Sequence, residues 1–160
     1  MRLRSPFYTE NLGTDQPYNS LMLLCPHCDF TCPGCQNVHL AKEPLTDFSI
    51  EELADLIASQ LICDEGLTIG GLEFTKSGEG FVQELASLCE SASVKNLTIY
   101  TREEIDHDYI VEAIKVLKPV VDHLYIKTGR YIAGAPSKLV TLGDFQITLA
   151  SDNQNYAEII

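Results

Sequence analysis

Short apolar runs alternate with helix-like patterns along most of the chain. The four apolar residues 21–24 predict a buried strand that leads directly into a group of cysteines. Ser49-Ile50-Glu51-Glu52 is typical of a capping box, and it predicts a helix that extends to about Ile62. Residues 67–69 predict a second strand, which ends at Gly70-Gly71, and the apolar periodicity over residues 81–88 predicts the helix after it.

The same order of strand and helix recurs farther along the chain. Residues 97–100 predict a strand, and Asp106 is a candidate N-cap for the helix that follows over residues 110–117. Pro119 ends that helix, and residues 121–126 predict the next strand. Because the β-α units repeat, we expect an α/β fold with a mostly parallel sheet.

The C-terminal part of the chain departs from this order. Residues 139–142 and 145–149 flank Gly143-Asp144, which is a good two-residue turn, and they predict an antiparallel β-hairpin. The 24 residues before the first cysteine are the only segment without a clear pattern. Since no repeat, low-complexity tract or Pro/Ser-rich linker interrupts residues 1–160, we expect a single domain.

Composition and charge exclude several classes of function. The chain has 160 residues, of which 45% are hydrophobic, and this is enough for one compact core. Its formal net charge is −12 and its 11 Lys and Arg residues are scattered, so we expect no nucleic-acid surface. No apolar stretch approaches the roughly 18 residues of a membrane span, and the N-terminal residues lack the apolar run of a signal peptide. We therefore expect a cytoplasmic protein without a membrane partner.

Four of the six cysteines lie within residues 25–35. In a reducing compartment such a group is more typical of a metal site than of disulfides. Cys28, Cys32 and Cys35 have the spacing C-x3-C-x2-C, which can bind three irons of a 4Fe-4S cluster and leave the fourth iron without a protein ligand. That open iron can chelate S-adenosylmethionine, whose reductive cleavage yields a 5′-deoxyadenosyl radical.

Other interpretations of the cysteine group remain open at this point. Residues 25–28 and 32–35 each have the form C-P-x-C and resemble zinc knuckles, but only three residues separate them, where zinc sites usually place a dozen or more. Cys25 is a candidate fourth ligand of an electron-transfer cluster, or a strand-end residue that points into the core. The remaining cysteines, Cys63 and Cys89, are expected to be core residues. The nearby histidines, His27 and His39, are expected to be loop residues.

Several separated segments resemble the activating proteins of anaerobic ribonucleoside-triphosphate reductases, which are small radical S-adenosylmethionine enzymes. Residues 28–37 are similar to the family's cluster loop, with Pro-Gly before the third cysteine and Asn two residues after it. Residues 67–73 are similar to its strand followed by Gly-Gly-acid. Residues 121–131 resemble its strand, Asp and Gly-x-Tyr segment, and residues 151–154 resemble its Ser-x-Asn-Gln. The likeness covers residues 20–155.

This resemblance implies a fold and a set of cluster ligands. The family's fold is an incomplete, open β/α barrel of the radical S-adenosylmethionine type, which agrees with the β-α units expected from the sequence. By position, Cys28, Cys32 and Cys35 are the ligands of the 4Fe-4S cluster. The backbone of Gly34, Cys35 and Gln36 is then expected to border the adenosyl group.

The resemblance also implies which residues bind the methionine part of S-adenosylmethionine. Gly71 and Glu73 align with the Gly-Gly-acid segment, so Glu73 is expected to bind the amino group through a charge-assisted hydrogen bond. Leu72 stands where the family has its second glycine. Gln36 and Asn155 also depart from the family, which usually has an aromatic residue and an arginine at these positions. Further polar residues near the expected site are Thr101, Ser151, Asn153 and Gln154.

Finally, the resemblance implies a protein substrate and a protein reductant. The family abstracts a hydrogen atom from a glycine of the large subunit of anaerobic ribonucleotide reductase and so generates a glycyl radical. Its electrons usually come from acidic flavodoxins or ferredoxins, which this acidic chain would repel without a local basic patch, for which Arg2, Arg4 and Lys42 are candidates. The alternatives are a radical enzyme with another substrate and a non-catalytic zinc or iron–sulfur module.

Overall fold

A mixed β-sheet is the centre of the fold in the computed structural model, which describes residues 1–10, 17–60 and 66–160. The strands in these residues are β1 (Arg2–Glu10), β2 (Ser20–Leu24), β3 (Leu45–Asp47), β4 (Gly66–Gly70), β5 (Asn96–Tyr100), β6 (His123–Thr128), β7 (Lys138–Leu142), β8 (Phe145–Leu149) and β9 (Asn155–Ile159). The α-helices are α1 (Ile50–Gln60), α2 (Phe81–Ser91) and α3 (Asp108–Leu117). Short 3-10 helices cover Val38–Lys42, Phe74–Lys76 and Lys118–Val120.

The main sheet has the strand order β3-β1-β2-β4-β5-β6-β9. β2, β4, β5 and β6 are parallel to one another, whereas β1, β3 and β9 run antiparallel to their neighbours. The prediction of an α/β fold with a parallel sheet is therefore confirmed for the central strands. β3 and β9 are the two edges, and within the described residues no pairing between them closes the sheet into a barrel.

One face of the sheet carries the main hydrophobic core. The strand order progresses in one direction from β2 to β6, so right-handed crossovers place the helices on the same face. Leu67 and Ile69 of β4 and Leu97 and Ile99 of β5 are completely buried in this core. The helix residues buried in the same cluster include Leu53, Ile57, Leu85, Leu88, Ile110, Ala113 and Leu117.

The opposite face of the sheet is lined with paired hydroxyl groups. Ser20 Oγ and Thr68 Oγ1 lie 2.6 Å apart, and Thr98 Oγ1 lies 3.1 Å from the hydroxyl of Tyr156. The hairpin of β7 and β8 covers part of this face, because Ile147 of β8 packs on Tyr156 in a second buried cluster. The buried hydroxyls thus satisfy one another under an apolar cover.

The predicted helix starts are partly confirmed. Ser49 and Glu52 form the expected capping box, with Glu52 N donating to Ser49 Oγ at 3.0 Å and Ser49 N donating to Glu52 Oε2 at 2.7 Å. The predicted end of α1 near Ile62 lies outside the described residues. The prediction of Asp106 as the N-cap of α3 is wrong, because His107 Nδ1 accepts the N–H of Tyr109 at 3.2 Å.

Three strands lie where the sequence pattern predicts none, and β3, which pairs with β1, is one of them. β1 occupies the N-terminal segment that has no clear pattern, and β9 follows the predicted hairpin. Both are stabilised by pairing with a strand of the parallel core, which a local pattern does not report. The hairpin itself is confirmed. Among the described residues, no helix has the length and apolar character needed to cross a membrane.

Candidate functional site

The loops that follow the parallel strands meet at one end of the sheet and surround a cavity of about 150 Å³ that opens to solvent. β2 leads into the cysteine loop (residues 25–37), β4 leads to Glu73, and β5 leads to Thr101 and Arg102. β6 leads to Gly129, which also lines the cavity. This end of a parallel sheet, at the carboxyl termini of its strands, is where α/β proteins commonly bind ligands.

The three cysteines of the C-x3-C-x2-C motif all line this cavity. Cys28, Cys32 and Cys35 are partly exposed. The backbone N–H of Phe30 donates to Cys28 Sγ at 3.4 Å, and the backbone N–H of Asn37 donates to Cys35 Sγ at 3.4 Å. Hydrogen bonds to cysteine sulfurs tune the potential of iron–sulfur sites.

Two residues give the cysteine loop its shape. Phe30 has a left-handed backbone with φ of 54°, which costs a non-glycine residue about 1 kcal/mol or more. Gly34 has φ of 71°, and a Cβ atom there would lie 3.1 Å from Cβ of Ala133. The sharp turns bring the motif back on itself between its first and third cysteines.

Cys25 is separated from the other three cysteines. It is completely buried at the end of β2, and its N–H donates to the carbonyl of Gly70 at 2.9 Å. Burial raises the pKa of Cys25 well above that of an ordinary thiol. Cys89 in α2 is also buried, as expected, and burial raises its pKa to about 12. Cys63 lies outside the described residues.

The three thiols at the cavity are the type of donor that an iron–sulfur cluster takes. Within residues 1–10, 17–60 and 66–160, no group of three or more His, Cys, Asp or Glu side chains is arranged to hold one metal ion. The cysteine ligands of a 4Fe-4S cluster do not share one ion, because each of them binds a different iron. Three partly exposed thiols on one loop, with Cys25 turned into the core, match a cluster that keeps one iron open.

Glu73 is a buried carboxylate in the wall of the cavity, with only 5% of its surface exposed. Its Oε1 accepts the N–H and hydroxyl of Thr75, at 3.1 and 3.0 Å, and the hydroxyl of Thr101. Its Oε2 accepts the backbone N–H of Arg102 at 3.0 Å. These four hydrogen bonds fix the orientation of the carboxylate, and Oε2 accepts fewer of them than Oε1.

The segment before Glu73 requires two glycines for steric reasons, since a Cβ atom at Gly70 would lie 2.8 Å from Cβ of Tyr100. Gly71 has φ of 76°, and a Cβ atom there would lie 2.7 Å from Cδ2 of Leu24 and 3.0 Å from Cδ1 of Leu40. Leu72 is buried and adds an apolar surface to the cavity wall. Gly71 has no side chain, so its backbone lines the cavity directly.

The structure brings most of the predicted site residues together, but not all. Cys28, Cys32, Cys35, Gly71 and Glu73 line the same cavity. The remaining two predicted residues, Gly34 and Gln36, are exposed and lie outside its lining. The nearby histidines do not line it either. His27 is an exposed loop residue, as expected, whereas His39 is exposed in the 3-10 helix Val38–Lys42.

Arg102 is a cavity residue that sequence reasoning missed. Its guanidinium donates to both carboxylate oxygens of Asp29 in the cysteine loop, with Nη2 to Oδ2 at 2.6 Å, and Nη1 also donates to Thr31 Oγ1 at 2.6 Å. These hydrogen bonds hold the pKa of Asp29 well below its usual range and raise the pKa of Arg102. The pair spans 73 positions of sequence, so no local pattern signals it.

The C-terminal polar residues bind the backbone of residues 129–132. Ser151 Oγ accepts an N–H from this segment at 2.9 Å, and the side-chain amides of Asn153 and Gln154 donate to its carbonyls at 2.9 and 3.2 Å. These contacts hold the segment that places Tyr131 at the cavity, and Gln154 lines the cavity itself.

One of the three basic residues predicted to form a patch is neutralised by a carboxylate. Arg2 pairs with Asp47 at 2.8 Å, whereas Arg4 donates to the carbonyl of Pro26 at 3.0 Å and so supports the start of the cysteine loop. Lys42 is exposed.

No protein-family model, curated protein or solved structure matches the chain. The function is therefore inferred from the residues that line the cavity, together with the sequence resemblance.

Proposed function

We propose that this chain is a radical S-adenosylmethionine enzyme that holds a 4Fe-4S cluster on Cys28, Cys32 and Cys35. The main support is that these three thiols and the buried carboxylate of Glu73 line one cavity. When bound, the cluster supplies the electron that cleaves S-adenosylmethionine into methionine and a 5′-deoxyadenosyl radical.

Glu73 is proposed to bind the amino group of S-adenosylmethionine. Its carboxylate is held in place by Thr75, Thr101 and the N–H of Arg102, so it needs little reorganisation to accept a cation. A charge-assisted hydrogen bond in this buried position fixes the methionine part relative to the cysteine loop. Gly71 supports the role because its backbone lies directly at the cavity wall.

The adenosyl group is proposed to lie along the cysteine loop. The resemblance assigns it to the backbone of Gly34, Cys35 and Gln36, and of these Cys35 lines the cavity. Phe30 and Leu72 add apolar surface next to the thiols, which reduces the access of water to a reactive radical.

We infer that the open sheet is an incomplete β/α barrel of the radical S-adenosylmethionine type. Four parallel strands with helices on one face, and a site at the carboxyl ends of those strands, support this inference. The antiparallel strands at both edges are then additions to the barrel segment.

The substrate is proposed to be the large glycyl-radical subunit of an anaerobic ribonucleotide reductase. The cavity opens to solvent, so a protein loop that carries glycine has a route to the deoxyadenosyl radical. A flavodoxin or ferredoxin in the cytoplasm is the proposed reductant. The charges of Arg4 and Lys42 lie on the chain near the cysteine loop and favour the approach of an acidic donor.

Anaerobic turnover tests this function. The chain is reconstituted with iron and sulfide, reduced with dithionite and given S-adenosylmethionine, and 5′-deoxyadenosine is quantified with and without a large reductase subunit. We expect 5′-deoxyadenosine in both cases, and a glycyl-radical electron paramagnetic resonance signal only with the subunit. Cleavage without any glycyl radical would favour a radical enzyme with another substrate. A colourless protein that binds zinc and forms no 5′-deoxyadenosine would favour the non-catalytic module.

A further inference from the structure

Arg102 contacts both the cysteine loop and Glu73. Its side chain binds Asp29, which directly follows the first cysteine of the motif. Its backbone N–H binds Oε2 of Glu73 at 3.0 Å. The cysteine loop and the carboxylate wall of the cavity are therefore both attached to one residue at the end of β5.

Hydrogen bonds also hold Arg102 itself in place. Its side chain is only 12% exposed, and its Nε donates to Glu103 Oε1 at 3.0 Å. The preceding residue, Thr101, is fixed to the neighbouring strand β6 by its N–H, which donates to the carbonyl of Lys127 at 2.9 Å. Arg102 therefore lies in a bend just after β5 that hydrogen bonds attach to the sheet.

The guanidinium of Arg102 contacts the carboxylate of Asp29 at two points, which restricts the orientation of both groups. Nη1 and Nη2 each bind a separate oxygen of the carboxylate, and a paired contact of this kind fixes the relative plane of both groups. Nη1 also binds the hydroxyl of Thr31, which lies between the first and second cysteines of the motif. Two residues of the loop are thus held by the same guanidinium.

We propose that Arg102 is a positioning residue that fixes the cysteine loop in register with Glu73. It touches neither the cluster nor the substrate in this assignment, and it acts through Asp29 and Thr31. The part of the proposal that concerns what the loop and Glu73 bind rests on the proposed function. The attachment of the cysteine loop to the end of β5 does not depend on the proposed function, and a separate experiment tests it.

The test measures the rate at which iodoacetamide alkylates each cysteine of the metal-free, full-length chain, read by mass spectrometry. Arg102→Gln and Asp29→Asn each remove the paired contact, and we expect each to speed alkylation of Cys28, Cys32 and Cys35 about fivefold. Arg2→Gln is the matched control, because it removes the exposed paired contact with Asp47 elsewhere on the chain and should leave the rates unchanged.

The double variant Arg102→Gln/Asp29→Asn supplies a readout that general destabilisation does not produce. If the two residues act through one contact, the double variant alkylates no faster than either single variant. The buried Cys25 and Cys89 report the integrity of the fold and should stay unreactive throughout. If Arg102→Gln makes Cys25 or Cys89 reactive, the alkylation rates of Asp29→Asn test the proposal instead. The Asp29 side chain is 38% exposed, so its replacement leaves the core intact.

Wild-type alkylation rates in Asp29→Asn, or additive effects in the double variant, would overturn the proposal. A second measurement concerns Glu73: in the reconstituted protein, we expect Arg102→Gln to weaken S-adenosylmethionine binding about tenfold in calorimetry. Unchanged binding would overturn the claim of register with Glu73. If wild-type protein does not bind S-adenosylmethionine at all, the proposed function fails, and the alkylation rates still judge the attachment of the loop.

Discussion

Replacement of Cys28, Cys32 or Cys35 by serine is expected to abolish binding of the iron–sulfur cluster, whereas Cys25→Ala is expected to retain it. The three motif cysteines line the cavity, and loss of one leaves two thiols for a cluster that needs at least three ligands. Cys25 is completely buried in the core, where its thiol is disfavoured as a thiolate ligand. Iron and sulfide content after anaerobic reconstitution, with the visible absorption of the cluster, measures the effect.

Cys89→Ala is the matched control for Cys25→Ala. Both residues are completely buried, and each substitution is expected to cost about 1 kcal/mol of folding free energy through lost packing. Both variants should then bind as much iron as the wild type. If Cys25→Ala loses its iron while Cys89→Ala keeps it, Cys25 is a ligand, and the chain is better described as an electron-transfer protein with four cysteine ligands.

Glu73→Gln is expected to weaken S-adenosylmethionine binding by about 100-fold while the cluster content stays unchanged. Hydrogen bonds to charged groups contribute about 1.5–3 kcal/mol, and the neutral amide loses the attraction to the ligand's ammonium group. In Glu73→Gln, the side-chain NH2 group replaces one of two oxygens that both accept hydrogen bonds. This NH2 group therefore faces a hydrogen-bond donor instead of an acceptor. Calorimetry on the reconstituted protein measures the dissociation constant.

Glutamine is a sharper test at position 73 than alanine. Alanine would leave the hydroxyl of Thr101 and the N–H groups of Thr75 and Arg102 without their acceptor, and the resulting loss of stability would be mixed with the loss of binding. Glu112→Gln, at an exposed position of α3, is the matched control and should bind as the wild type does. Wild-type affinity in Glu73→Gln would remove Glu73 from the site.

The sequence predicts those parts of the site that local pattern determines. The apolar run before the cysteines and the run before Gly70 are completely buried strands, and β-α alternation places their carboxyl ends side by side. For this reason the cysteine loop and Glu73, which lie far apart in sequence, line the same cavity as expected. The capping box at Ser49 is predictable for the same reason, because its partners are three residues apart.

The parts that the sequence does not predict depend on contacts between distant segments. Asp29 and Arg102 have no signal of their own, since a lone acidic residue in a loop and a lone arginine after a strand are usually solvated. β1 and β9 are stable only as neighbours of the parallel strands. The N-cap of α3 was assigned to Asp106 by residue preference, but the chain enters the helix one residue later, where His107 supplies the acceptor.

The electron paramagnetic resonance spectrum of the reduced, reconstituted chain, recorded before and after addition of S-adenosylmethionine, tests the central claim most directly. Three cysteine ligands leave one iron open, so we predict a 4Fe-4S signal whose g-values shift when S-adenosylmethionine binds. A 4Fe-4S signal that is identical with and without S-adenosylmethionine would contradict the claim, because it would mean that no iron is open to this ligand.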